Sequence, residues 1–331
     1  MTIGCFGPPD QADPTSTVEI GYGMVESARG HGLITDALRL LVPAATARGV
    51  TLQAHAAYDN RESCRALERA GFTPPGAADG AGVDLADGVD QAGEVGGGGG
   101  ARSIRARDFT VTDVVDCHIE LIERVNPGLN AVATTMFDAA RAQAGAADNR
   151  IERTGTDSLP PLFGVPVTVK DCWPVKGVRF TSGSWFHRDD VAGRDAVTVT
   201  RLRDAGAIIL GKTNCPDMCW GFESVNPVFG RTRNARSADH SAGGSSGGEA
   251  SIVTAGGSAL GLGSDIGGSL RNPAAMNGCV SLKPSAGRIP TAGHLPAAEG
   301  AIETWNVAGP IARRVDDLAL APTVLHAEPE S

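Results

Sequence analysis

Apolar residues recur at helical spacing just after residue 110. The members of this apolar stripe are Val111, Val114, Val115, Ile122 and Val125. Their spacing places the side chains on one face of an amphipathic helix. Thr110, followed three residues later by Asp113, predicts an N-terminal cap, and the sequence NPG at 126–128 predicts the end of the helix.

Shorter apolar runs downstream alternate with a second helical pattern. LFGVPVTVKD (162–171) predicts a strand that carries Lys170 at its end. AVTVTRLRDAG (196–206) predicts a helix, and AIILGKTN (207–214) predicts a strand that ends near Lys212. Because short apolar strands that alternate with helices are typical of α/β folds, we expect a mixed sheet flanked by helices.

The first 75 residues carry a smaller α/β pattern of their own. VEIGYGMV (18–25) and TLQAHA (51–56) predict strands, and residues 26–49 and 60–72 predict helices. Residues 76–101 are mostly Gly, Ala, Asp and Val and end in a run of glycines, which predicts a flexible linker. The expected organisation is a segment at 1–75, a linker at 76–101 and a main domain at 102–331.

Charge and composition argue against several classes of partner and cofactor. A net charge of −9 over 331 residues argues against a nucleic-acid partner. The sequence has neither an apolar run long enough to span a bilayer nor an N-terminal signal pattern, so we expect a cytoplasmic protein that does not bind membranes. The 7 cysteines include no CxxC pair, and Cys215 and Cys219 have no histidine pair nearby, so we expect reduced thiols, no metal and no cofactor.

Two stretches rich in glycine and serine stand out, SAGGSSGGEAS (241–251) and GSDIGGSLRNPA (263–274). Three interpretations compete. A flexible linker does not explain the apolar runs within them, and a phosphate-binding loop of the Walker type would need a lysine after the glycines. The third interpretation is a nucleophile site, in which glycines let consecutive backbone N–H groups approach a developing oxyanion.

The N-terminal segment resembles part of a GNAT-type N-acetyltransferase through Gly30-His31-Gly32 and through NRESCRALERAGF (60–72). The resemblance implies that amides near Gly30 and Gly32 hold the pyrophosphate of acetyl-CoA at a helix N-terminus. Ser27 stands where that family usually has Gln or Arg, and the early elements of the fold are missing. We therefore expect a partial α/β segment without acetyltransferase activity, and we retain acyl-CoA binding as an alternative.

The rest of the chain, about 102–325, resembles the amidase signature family. Six blocks occur in the family's order: GVPVTVKD, GKTNCPD, AGGSSGGEAS, GSDIGGSLRNPA, SLKPSAGRIP and GPIARRVDD. The resemblance implies a Ser–Ser–Lys triad with Ser269 as nucleophile, Ser245 as the bridging serine after a cis peptide bond, and Lys170 as base. It also implies oxyanion-hole amides at Ile266, Gly267, Gly268 and Ser269.

This triad needs an uncharged lysine. Burial away from carboxylates promotes that state, and Asp171 is expected on the opposite face of the strand from Lys170. Asp265 and Arg271 are expected to form a buried pair that braces the nucleophile loop, and Lys212 is expected to be solvated or to cap an element. The implied reaction is hydrolysis of a small-molecule amide through an acyl-enzyme.

The chain ends at HAEPES, soon after the GPIARRVDD block, whereas the family continues with a long C-terminal portion. We therefore expect an α/β domain that is incomplete at its C-terminus. Two functions remain open beside the acyl-CoA alternative: an amidase whose activity truncation impairs, and a non-catalytic fusion fragment. The sequence identifies neither the amide nor the oligomeric state.

Overall fold

The computed structural model describes residues 2–6, 17–23, 51–54 and 97–326. The chain divides into two compact units, Met1–Val83 and Asp84–Ser331. The strands are β1 (Thr2–Phe6), β2 (Thr17–Gly23), β3 (Thr51–Ala54), β4 (Val132–Thr135), β5 (Pro166–Lys170), β6 (Ile208–Thr213), β7 (Val225–Asn226), β8 (Gly230–Arg231), β9 (Leu260–Asp265), β10 (Val280–Ser281) and β11 (Val307–Ala312). The α-helices are α1 (Gly97–Ala106), α2 (Val111–Leu129), α3 (Phe137–Thr154), α4 (Val197–Asp204), α5 (Gly247–Thr254), α6 (Arg271–Asn277) and α7 (Val315–Leu325).

The first unit contains a three-stranded sheet in the order β1-β2-β3. β1 pairs with β2 antiparallel, and β2 pairs with β3 parallel. β2 and β3 match the two predicted strands to within a few residues. The predicted helices, Gly30 and Gly32 lie outside the described residues.

The predicted linker at 76–101 is described only in its last five residues. α1 begins at Gly97, so the end of the glycine run belongs to a helix. The two units divide at Val83 and Asp84, which lies within the predicted linker range. The limits at residues 75 and 101 stay a prediction.

The second unit is built on a six-stranded mixed sheet in the order β10-β11-β9-β5-β6-β4. The three central strands are parallel, and the outer pairings are antiparallel. Side chains alternate between the two faces of a strand, and both faces here are covered. One face buries apolar side chains against α4 and α7, and the other against α2, α3 and α5. No α-helix among the described residues is long and apolar enough to cross a membrane.

α2 begins as predicted and ends later than predicted. Thr110 Oγ1 accepts a hydrogen bond from the backbone N–H of Asp113, and Asp113 Oδ2 accepts one from the N–H of Thr110, both at 3.0 Å. The helix then continues through Pro127 to Leu129. Pro127 forgoes one helical hydrogen bond, and because only two helical residues follow it, the distortion that it introduces affects little of the helix.

Parallel strands bring the chemistry-bearing residues to one edge of the sheet. β5 ends at Lys170, and its neighbour β9 ends with Ser264 and Asp265. β6, on the other side of β5, ends with Lys212 and Thr213. The loops that leave this edge carry the glycine-serine stretches, as is usual for sites at the carboxyl ends of parallel strands.

Candidate active site

Lys170 is a fully buried lysine whose neighbours are hydroxyl groups. Its Nζ lies 2.7 Å from Ser245 Oγ and 3.0 Å from Ser264 Oγ, both at hydrogen-bonding distance. Within residues 97–326, no carboxylate forms an ion pair with Lys170. The contact between Lys170 and Ser245 is the first link that the proposed triad requires.

The bridging position is held by a tightly packed glycine loop. The peptide bond between Gly244 and Ser245 is cis, as the family resemblance implies. Gly243 has φ of +73°, and a Cβ atom there would lie 2.7 Å from Asn272 Oδ1. The loop is tied to the nucleophile segment because Ser246 N–H donates to the carbonyl of Ser269 at 3.1 Å.

Ser269 is half-buried and lines a cavity of about 370 Å³ together with Ser245. The Ser269 hydroxyl makes no hydrogen bond to another described residue. The structure therefore joins Lys170 directly to Ser245 and places Ser245 and Ser269 in the wall of one cavity. The full lining is Cys219, Trp220, Gly221, Phe222, Ser245, Ser264, Ile266, Gly267, Ser269 and His294.

The four expected oxyanion amides are not equivalent. Gly268 N–H donates to Asp265 Oδ1 at 2.9 Å, so it already has a partner within the chain, and its role at an oxyanion stays a prediction. The Asp265 carboxylate points back toward the loop and accepts this hydrogen bond. Among the described residues, the backbone N–H groups of Ile266, Gly267 and Ser269 have no hydrogen-bond partner.

Asp265 binds the backbone of the loop that carries Ser269, and its partner Arg271 is more exposed than expected. The pair forms two hydrogen bonds, at 3.0 and 3.1 Å, with Asp265 fully buried and the Arg271 side chain 55% exposed. Burial raises the pKa of Asp265, but hydrogen bonds from Arg271 and from the backbone of Leu270 and Gly268 outweigh it and lower the pKa to about 2. Asp265 is therefore ionised at neutral pH.

Lys212 is neither solvated nor a cap, which corrects the expectation from sequence. It is fully buried, and its Nζ donates to Asp171 Oδ1 at 2.9 Å. The other oxygen of Asp171 accepts hydrogen bonds from Thr181 N–H at 3.1 Å and Thr181 Oγ1 at 2.6 Å. This buried pair satisfies Asp171 and keeps its charge paired away from Lys170.

Sequence reasoning missed a group of side chains beside Lys170. Cys172, Cys219 and His294 place their sulfur and nitrogen atoms within 4.8 Å of one another. Both His294 ring nitrogens already have protein partners, Pro296 O at 2.8 Å and Ser264 Oγ at 2.9 Å. The hydrogen bonds thus account for the imidazole without an ion, and the absence of a metal stays a prediction.

The neighbouring cysteines change the pKa of Lys170. Burial lowers the pKa of Lys170, but charge on the thiols of Cys219, Cys172 and Cys215 outweighs it and raises the pKa above its ordinary value. Burial is the main reason why the pKa of Cys172 lies well above that of a free thiol, and a hydrogen bond with Cys219 is the main reason for Cys215. Of the three thiols, Cys219 has the largest effect on the pKa of Lys170.

The upward shift at Lys170 therefore depends on Cys219. Burial raises the pKa of Cys219, but hydrogen bonds from Cys172 and Cys215 and the charge of Lys170 lower it well below the ordinary value. Lys170 and Cys219 thus shift each other's pKa in opposite directions, that of the lysine upward and that of the thiol downward. The expectation that burial alone keeps Lys170 neutral was incomplete, because it considered carboxylates and not thiols.

A buried lysine in contact with a serine hydroxyl is the kind of pair found in Ser–Lys variants of the catalytic triad. The chain belongs to the amidase family: residues 113–329 match the family model described as Amidase. Residues 1–73 match the model described as Acetyltransferase (GNAT) domain.

Known proteins resemble this chain over its amidase part. Fatty-acid amide hydrolase 2 of Homo sapiens is 41% identical over 224 residues, which is 66% of this chain and 42% of that protein. Indoleacetamide hydrolase of Bradyrhizobium diazoefficiens is 38% identical over 227 residues, which is 68% of this chain and 43% of that protein.

The solved structure of 6-aminohexanoate cyclic dimer hydrolase complexed with substrate superposes with a TM-score of 0.64 at 30% identity. The match covers 75% of this chain and 48% of that one. The chain thus spans less than half the length of each of these relatives. The fold class expected from sequence, a mixed α/β sheet of the amidase-signature type, is confirmed.

Proposed function

We propose that this chain hydrolyses the C–N bond of carboxylic amides, with Ser269 as nucleophile, Ser245 as proton bridge and Lys170 as base. The observation that carries the proposal is the 2.7 Å contact between Lys170 Nζ and Ser245 Oγ, made by a fully buried lysine beside the cavity that Ser269 lines. A serine hydroxyl needs such a base because it is a weak nucleophile at its ordinary pKa.

The reaction begins when Ser269 Oγ attacks the amide carbon. Its proton passes to Ser245 Oγ, while the Ser245 proton passes to the uncharged Lys170 amine. The tetrahedral intermediate then collapses, the C–N bond breaks, and the leaving nitrogen receives a proton returned through Ser245. Water attacks the resulting ester by the same relay, which releases the acid and regenerates the Ser269 hydroxyl.

The oxyanion that develops in both steps is stabilised by backbone N–H groups. Ile266, Gly267 and Ser269 supply the candidate donors, because their N–H groups have no partner among the described residues and their side chains or backbone line the cavity. Gly268 holds the loop in place through Asp265 instead. Preorganised donors of this kind contribute about 10²–10³ in rate for each donor.

The cavity favours amides with an apolar part. Trp220 and Phe222 line it and are 76% and 61% exposed, so they present aromatic surface at its mouth. A second cavity of about 280 Å³ shares Trp220 and Ile266 with the first. We propose a small-molecule amide whose aromatic or aliphatic group packs on these side chains, and no nucleic-acid or membrane partner.

Labelling with a fluorophosphonate probe tests the proposal. The probe should modify Ser269 in the full chain, and amide hydrolysis should fall by at least about 10³-fold in Ser269→Ala and Lys170→Met. Ser285→Ala, at an exposed serine, is the matched control. Modification of another residue, or unchanged turnover in Ser269→Ala, would refute the proposal.

The alternatives predict different results. A non-catalytic fusion fragment predicts a folded protein in which the probe labels no serine and no amide is cleaved. Acyl-CoA binding through Gly30 and Gly32 stays a prediction, since these residues lie outside the described part of the chain. It is tested by titrating the chain with acetyl-CoA and repeating the titration with Gly32→Trp.

A further inference from the structure

A second chain of hydrogen bonds reaches Lys170 through Ser264 and His294. Ser264 Oγ lies 3.0 Å from Lys170 Nζ and 2.9 Å from His294 Nε2. His294 Nδ1 lies 2.8 Å from the carbonyl oxygen of Pro296. These contacts join the wall of the cavity to the candidate base through one buried hydroxyl group.

The partners fix the direction of each bond. A carbonyl oxygen only accepts, so His294 Nδ1 carries a proton and donates it to Pro296. In the neutral imidazole, Nε2 then has a lone pair, and Ser264 O–H donates to it. Having used its proton, the Ser264 oxygen accepts from Lys170.

We propose that His294 is a positioning residue which, through Ser264, orients Lys170 in the relay. This inference rests on the function proposed above. An uncharged amine has two N–H groups and one lone pair. With one N–H committed to Ser264, the lone pair can be directed at the Ser245 hydroxyl 2.7 Å away, as proton transfer from Ser245 requires.

The opposite tautomer would let the Ser264 hydroxyl compete for the lone pair of the base. If His294 Nε2 carried the proton, it would donate to the Ser264 oxygen. The Ser264 proton would then point toward Lys170, where it would occupy the amine lone pair, or toward the Cys172 sulfur at 3.7 Å. The hydrogen bond from Nδ1 to Pro296 therefore selects the tautomer that leaves the base available.

The surroundings hold the imidazole in this orientation. His294 is 6% exposed, and its ring packs edge-on against Trp173, with ring centroids 4.7 Å apart. The next residue along the chain, Leu295, donates its N–H to the carbonyl of Cys172 at 2.9 Å. Trp173 Nε1 donates to the carbonyl of Gly263, which precedes Ser264. Cys172 and Trp173, which lie just after the end of β5, thus hold both the imidazole and the strand that carries Ser264.

Nitrogen NMR of the full chain labelled with ¹⁵N-histidine tests the orientation without using activity. The His294 signals are assigned by comparison with His294→Gln. We expect a protonated Nδ1 and an unprotonated Nε2, and in Ser264→Ala the Nε2 signal should move in the direction of a lost donor. A protonated Nε2 in the neutral wild-type imidazole would overturn the inference whether or not the chain is an amidase.

Kinetics test the consequence for the base. Gln keeps an acceptor oxygen near the Nε2 position, whereas Met keeps the approximate size without an acceptor. We expect kcat to fall about tenfold in His294→Met with KM nearly unchanged, and His294→Gln to retain activity within about threefold of wild type. The exposed His240→Met is the control.

A double-mutant cycle separates positioning from simple packing. If His294 acts through Ser264, the double variant His294→Met/Ser264→Ala should be no slower than Ser264→Ala alone. Multiplicative losses, or equal losses in His294→Met and His294→Gln, would overturn the inference. A wild-type chain that neither hydrolyses amides nor is labelled at Ser269 would instead refute the proposed function, and the tautomer would still decide the orientation.

Discussion

Replacing Glu249 with glutamine should remove a pH dependence from the stability of this protein. Glu249 lies on α5, is fully buried, and contacts Thr168 Oγ1 at 2.6 Å and Thr213 Oγ1 at 2.8 Å. Ser258 donates to the carbonyl of Leu260, so it accepts from Thr168. Thr168 has one proton for two contacts, with Ser258 and with Glu249, and a proton on the Glu249 carboxyl group would let both form.

The pKa of Glu249 agrees with this reading. Burial outweighs the hydrogen bonds from Thr168 and Thr213 and raises the pKa from 4.5 to about 8. A raised carboxyl pKa contributes stability that is complete below pH 4.5 and is lost as pH rises toward 8. The shift of the Glu249 pKa from 4.5 to about 8 corresponds to a loss of about 5 kcal/mol in the free energy of unfolding over that pH interval.

Glutamine reproduces the hydrogen bonds without the titration. Its carbonyl oxygen accepts from Thr213, and its N–H donates to Thr168. The free energy of unfolding, measured by urea denaturation from pH 5 to pH 8.5, should fall with pH in the wild type by up to about 1.4 kcal/mol per pH unit relative to Glu249→Gln. The stability of the variant relative to the wild type should therefore increase as the pH rises through this range.

The matched control is Glu223→Gln, at a half-exposed carboxylate that pairs with Arg231 on the surface. Its stability should follow the wild type closely, because exposed pairs contribute little. Parallel pH curves for wild type and Glu249→Gln would refute the reasoning. A variant that is several kcal/mol less stable at every pH would do so as well, since it would mean that the site requires an ionised carboxylate.

Three further changes follow from the site. Lys212→Met leaves the buried Asp171 carboxylate unpaired and should lower the free energy of unfolding, measured by urea denaturation, by about 3–5 kcal/mol. Lys176→Met, at an exposed lysine, is the control and should change it little. A loss below about 1 kcal/mol in Lys212→Met would contradict the pairing. Asp265→Asn should abolish the stability loss between pH 3.8 and about 2, which circular dichroism measures during acid titration. Cys219→Ser removes the thiol group that raises the pKa of Lys170, so the acid limb of kcat/KM should move to lower pH. An upward move would contradict this effect of Cys219.

Local patterns predicted the elements that depend on neighbours in sequence. The capping box at Thr110, the strand that ends at Lys170 and the helix at 196–206 all occur close to their predicted positions. The resemblance of the glycine-serine blocks also located Ser245, whose cis peptide bond and contact with Lys170 the structure contains. The predicted elements are encoded within segments of ten to twenty residues, whereas the contact of Ser245 with Lys170 joins residues 75 apart and was expected only from the family resemblance.

The features that sequence reasoning missed are encoded between distant segments. His294 lies 30 residues from Ser264 and more than a hundred from Lys170, and its own surroundings, AGHLP, contain no catalytic pattern. Its contact follows from Leu295 binding the backbone of Cys172, which no spacing rule predicts. The coupling of Cys219 to Lys170 is equally non-local. A search for histidines and cysteines near the lysine in space, rather than in sequence, would have found both.

The position of Lys212 shows why the alternation of side chains along a regular strand did not predict its partner. Ile208 and Leu210 pack on the α5 side of the sheet, so a regular strand would direct Lys212 to that side as well, the side to which Lys170 points. The pairing of β5 with β6 instead shifts register after Val167, where Ile209 is followed by Gly211 as the next partner. This bulge turns Lys212 to the opposite side, where it pairs with Asp171.

Glycine is required at that bulge, because a Cβ atom on Gly211 would lie 2.6 Å from the carbonyl oxygen of Thr134. One irregular residue thus separates two adjacent lysines into different chemical environments. Lys212 takes the carboxylate of Asp171, and Lys170 is left among hydroxyl and thiol groups. An ion pair with a carboxylate would hold an amine protonated, so the bulge removes that constraint from Lys170 and leaves the thiol of Cys219 as the main group that raises its pKa. The bulge in β6 is therefore as much a part of the candidate active site as the serines that face the cavity.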